Sequence, residues 1–92
     1  MRRLILPDGS ITDFAYPLTC ARIASLLKAD TLDTFRLRDA GDHVAMVDDA
    51  GHQKGLPINS KATEMYLATC RPGTTHVIRG PVFVCPDMDF AP

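Results

Sequence analysis

Apolar and polar positions along the chain come in short runs separated by turn residues, and each run predicts one element. Leu4–Leu6, Pro7-Asp8-Gly9-Ser10 and Ile11–Tyr16 read as a β-hairpin. Pro presets one φ, Asp bonds its own backbone and Gly accepts positive φ; Pro17 ends the second strand. Thr19 caps a helix to about Ala29, with Cys20, Ile23, Ala24 and Leu27 at i, i+3, i+4, i+7 as one apolar stripe. Lys28, near its end, suits the helix dipole.

Phe35 and Leu37 alternate with Thr34, Arg36 and Arg38 as a half-buried strand, and Asp39-Ala40-Gly41-Asp42 turns the chain. Val44-Ala45-Met46-Val47 is apolar on both faces and predicts an interior strand. Asp48-Asp49-Ala50-Gly51 is a second turn, with Gly51 expected in a left-handed or bulge conformation. Gln53–Leu56 is expected to return as a short edge strand, which Pro57 keeps from the sheet interior. Asn59 or Ser60 caps a second helix of roughly ten residues, with Ala62, Met65, Tyr66 and Thr69 inward and Glu64 in the first turn. Pro72-Gly73 stops it. Thr75–Arg79 and Val82–Cys85 predict two strands joined at Gly80-Pro81, or one long bent strand with a bulge, and 86–92 a loose tail.

These elements predict one small α+β domain, an antiparallel or mixed sheet of four to six short strands with both helices on one face. The uncovered apolar face would then need a partner, a dimer mate or the tail residues Met88 and Phe90. A chain of 92 residues also has a thin core, which independently favours a homodimer.

Composition narrows the function classes. Hydrophobic content of 46% with 23% charged residues is ordinary for a folded domain. The net charge of −1 carries no basic run, so a nucleic-acid partner, sequence-specific or otherwise, is not expected. Ten of the eleven acidic residues are Asp, in keeping with a chain rich in turns and caps. The apolar run at Leu4–Leu6 is too short for a leader or a membrane span, and three cysteines without short spacing do not suggest a disulfide framework. A cytoplasmic protein with no membrane partner is the expectation.

The sharpest sequence feature is Asp-Asp-x-Gly-x-x-x-Gly-Leu-Pro-x-Asn at 48–59, followed by a helix and by His76-Val77-Ile78-Arg79-Gly80-Pro81-Val82-Phe83-Val84. From the first strand to about Cys85 the pattern resembles a family of small proteins encoded largely by phages, plasmids and integrated elements and known only as a domain of unknown function. Pro81 departs from that pattern. The resemblance implies an accessory protein of a mobile element and brings no catalytic residue with it.

Candidate chemistry is sparse. The elbow Gly55-Leu56-Pro57-Ile58-Asn59 has a structural reading, in which Gly55 takes a special φ, Pro57 ends a strand and Asn59 caps a helix. Its functional reading is an anion site in which Asn59, Ser60 and Lys61 lie beside exposed N–H groups. Arg71, Thr74, Thr75 and His76 form the best candidate patch for a small anionic ligand such as a nucleotide signal. No Cys-x-x-Cys or His-x-x-x-His spacing predicts a metal, and no cofactor is expected. Cys20 and Cys85 read as inert core residues, and Cys70 sits at a helix end where the dipole disfavours a thiolate. No catalytic residue is assigned. The leading expectation is inhibition of a host protein, such as a defence component, through a protein–protein surface. Sequestration of a small ligand is second and an enzyme with an unrecognised site third.

Overall fold

Among the described residues, seven elements form in chain order: β1 (Arg3–Ile5), β2 (Ile11–Asp13), α1 (Cys20–Leu27), β3 (Leu32–Leu37), β4 (His43–Asp48), α2 (Ser60–Leu67) and β5 (Val82–Pro86). The structure, a computed structural model, describes residues 2–37, 43–68, 73 and 76–86. The strands make one antiparallel sheet in the order β2-β1-β5-β4-β3, so the last strand of the chain inserts at the centre. The domain is the expected α+β class.

The helices lie on opposite faces of this sheet, correcting the expectation of one shared face. Strand side chains alternate between faces, and the alternation of β5 is divided between two cores. Val82 and Val84 pack with Ile5, Leu37, Ala45, Ile78 and, from α2, Ala62. Phe83 and Cys85 pack with Met46 and, from α1, Ile23 and Leu27. The run Val44–Val47 is apolar on both faces because each face carries a helix from the same chain, so the expected exposed apolar face does not arise. Met88 and Phe90 of the expected tail lie outside the described residues, and Pro86 is the last residue of β5, opposite His43.

Local chemistry explains most boundaries. Thr19 caps α1, its hydroxyl accepting from Arg22 N. Lys28 terminates α1 in the left-handed region at φ 54°, and its N–H donates to the Ala24 and Ser25 carbonyls. The α1 stripe meets the sheet from Ile23 onward. Cys20, the first helical residue, is exposed, correcting the core assignment, whereas Cys85 is buried. The first hairpin strand begins one residue earlier than expected, the second is shorter, and Glu64 falls after the first turn of α2. Ala62, Met65 and Tyr66 face the core as expected, while Thr69 lies outside the described residues.

Two predicted strands do not form. Residues 49–55 are successive turns instead of an edge strand. Between 76 and 79 the only pairing among the described residues is an isolated bridge from Arg79 to Ile58, so neither a separate strand nor one bent strand precedes β5. Gly80 and Pro81 carry the chain from that bridge into the central strand.

Candidate functional site

The 48–59 segment folds into a knot that grips residues 78–80. Asp48, the buried last residue of β4, opens it. One of its carboxylate oxygens accepts Ala50 N at 2.9 Å, and the other accepts Lys54 Nζ at 2.7 Å. The Lys54 hydrogen bond is the main reason its carboxyl stays below the ordinary Asp range; burial opposes this, and Ala50 N–H and the Lys54 charge reinforce it. Lys54, held chiefly by the same hydrogen bond, is raised in turn.

Overlapping turns close the knot through Gly51 N to Asp48 O, Lys54 N to Ala50 O, Gly55 N to His52 O and Leu56 N to Gly51 O. Gly51 does not take positive φ, correcting that expectation. A Cβ there would lie 3.2 Å from Arg79 O and 3.3 Å from Asp48 O, so glycine serves the close approach of two backbones. Gly55 does take positive φ, at 65°. Leu56 O accepts Arg79 Nη1 at 3.0 Å and Pro57 O accepts Gly80 N at 2.8 Å. The Leu56 side chain fills the space where a Gly80 Cβ would stand, 2.7 Å from its Cδ1.

Asn59 is the keystone. It is fully buried, and its side-chain amide donates to Ile5 O at 2.9 Å and to Gly80 O at 3.0 Å. Its Oδ1 accepts Ala62 N at 3.1 Å, capping α2, and its own N–H donates to Ile78 O at 2.8 Å. One turn on, the buried Thr63 hydroxyl accepts Ile78 N at 2.9 Å. One side chain thus ties the end of β1, the entry to β5 and the start of α2 together.

Gly55 and Asn59 take the structural roles expected of them, positive φ and helix cap, whereas Leu56 packs on Gly80 and Pro57 has no edge strand to end. Of the candidate anion set, Asn59, Ser60, Lys61 and His76 lie among the described residues. Asn59 turns inward, while Ser60 and Lys61 are exposed in the first turn of α2. His76 is exposed beside Tyr66, ring centroids 5.7 Å apart. Arg71, Thr74, Thr75 and Cys70 lie outside the described residues.

Two features were not foreseen from the sequence. His76 also faces His52, with ring centroids 5.5 Å apart, at the end of a line of rings running from Phe35 through Tyr66. The residues are 24 positions apart, so no spacing rule links them. The second feature is the β3 edge. Asp49 N donates to Thr31 O across the β3–β4 register, making Thr31 and Asp49 a hydrogen-bonded pair. Such pairs alternate along an antiparallel ladder, so residues 33, 35 and 37 bond toward β4 and residues 32, 34 and 36 aim their main-chain groups outward. The opposite edge, β2, is only three residues long and fully exposed.

Among the described residues, no helix is long and apolar enough to cross a membrane, and no three His, Cys, Asp or Glu side chains converge as a metal-binding group. Compared with known protein families, curated proteins and solved structures, the chain matches none.

Proposed function

We propose that the chain is a non-enzymatic accessory protein of a phage or other mobile element that acts in the cytoplasm. In this reading it inhibits a host protein, with a defence component the leading case, and the edge of β3, open among the described residues, is its binding surface. The observation that carries the reading is the six-residue edge strand, whose outward main-chain groups offer a template for an added strand. Its alternating side chains would give specificity. The buried polar residues Asp48, Asn59 and Thr63 support binding over catalysis, since each commits its side chain to hydrogen bonds within the fold.

Thr34→Pro tests this reading. It removes an outward N–H and leaves the β4 ladder intact, the position at which an edge strand tolerates proline. Native mass spectrometry on wild type and variant, each purified gently from bacterial cells, should find a host polypeptide on the wild type and none on the folded variant. Retention by both would move the interface elsewhere on the molecule. A wild-type dimer lost in the variant would make the partner a second copy, and a retained small molecule would favour sequestration.

A further inference from the structure

We propose that His52 and His76 form a two-imidazole site for a divalent transition-metal ion of the zinc, nickel and copper class, with water in the remaining coordination positions. The distance is right for it. With metal–nitrogen bonds of about 2.0–2.1 Å, two imidazoles in adjacent positions on one ion keep their ring centroids roughly 4.5–5 Å apart, the larger value for a tetrahedral ion and the smaller for a square-planar or tetragonal one. The observed separation is 5.5 Å at an interplanar angle of 40°. Both rings are exposed, so small χ adjustments within their staggered wells can bring the nitrogens together.

Each ring is carried close to a residue tied into the fold, which lowers the ordering cost of closing such a site. His52 follows Gly51, which abuts Arg79 O. Two residues after His76, Ile78 is held through its N–H by Thr63 and through its carbonyl by Asn59 N. Tyr66 meets the His76 ring edge-on at 73°, so α2 supports the second ligand. The cations closest in sequence are engaged elsewhere, Lys54 on Asp48 and Arg79 on Leu56 O. The inference is independent of the β3 edge.

Nickel(II) is the probe, because imidazole suits nickel whereas thiolates select softer ions, which keeps exposed Cys20 out of the readout. Calorimetric titration of the full reduced chain with nickel chloride should give one ion per chain. His52→Gln and His76→Gln should each lose most of that affinity, and the double variant should bind no more tightly than either single one, which still keeps a lone imidazole. In NMR spectra substoichiometric nickel should broaden the ring protons of His52 and His76 before those of His43 on β4. Unchanged thermal melts would show that the variants fold. The site is refuted by absence of binding in the wild type, by wild-type affinity in either single variant, by loss of binding in Cys20→Ser, or by His43 broadening first.

Discussion

Two turns in this chain use the same chemistry to different ends. In the hairpin turn, Asp8 Oδ1 accepts Ser10 N at 2.8 Å and also the Ser10 hydroxyl; after β4, Asp48 Oδ1 accepts Ala50 N at 2.9 Å. Both carboxyls are held below the ordinary Asp range, Asp8 mainly by the Ser10 hydroxyl and Asp48 mainly by Lys54. Their surroundings differ. Asp8 is exposed, and a Cβ on Gly9 would meet nothing within 4 Å. Asp48 is buried, and the loop it opens is pressed against Arg79 and Gly80. The first turn only reverses the chain; the second holds the centre of the sheet to α2. What a turn residue contributes is set by what packs on it.

The largest effect that would break this contrast is at Asn59. Asn59→Ala leaves Ile5 O, Gly80 O and Ala62 N without their side-chain partner, and should cost about 3–5 kcal/mol in urea unfolding. Asn59→Asp should do no better, since it sets a carboxylate against two carbonyls that now accept from an amide. A loss under about 1 kcal/mol would remove Asn59 from its central role.

Glycine substitutions sharpen the comparison. Both Gly9, at φ 93°, and Gly80, at φ 81°, occupy positive φ. Gly9→Ala should cost about 1–2 kcal/mol from backbone strain alone. Gly80→Ala should cost roughly 1 kcal/mol more, because its Cβ must displace Leu56. Equal melting-temperature shifts would mean that Leu56 yields freely.

Acid titration separates the two aspartates. A carboxyl depressed in the folded state contributes stability above its unfolded pKa, near 3.9, and loses it as pH falls through the lower folded value. Wild-type stability should therefore decline on acidification below about pH 4. Asp48→Asn should flatten that decline more than Asp8→Asn, and should cost about 1 kcal/mol at neutral pH, a modest figure because Lys54 remains partly exposed. The reverse order in denaturant curves at graded pH would place the acid sensitivity in the hairpin. The smallest stability effect should be at the β3 edge, where Thr34→Pro is expected to change urea unfolding by less than about 0.5 kcal/mol.

Much of the elbow was legible in residues 48–59, because its chemistry is local. Pro57 at the end of a segment and Asn59 before a helical stripe have few other readings. The apolar sequence of β4 likewise marks an interior strand. The 75–79 strand was misread because β-branched residues suit extended backbone, while the Ile78 main chain finds its partners in Thr63 and Asn59. Asn59 was read correctly as the cap of α2, but its two long-range hydrogen bonds were not legible. Its burial depends on Ile5 and Gly80, 54 and 21 positions away.

Local residue patterning sufficed for both helices, the five strands that form among the described residues, most caps and turns and the α+β class, since these rest on periodicity and on residues acting within about four positions of one another. Long-range packing alone fixed that β5 enters the centre of the sheet, that the helices take opposite faces, that Asn59 turns inward, and that His52 meets His76. Each depends on contacts between segments far apart in the chain, and such contacts are selected by which packing buries the apolar surface of both sheet faces at once.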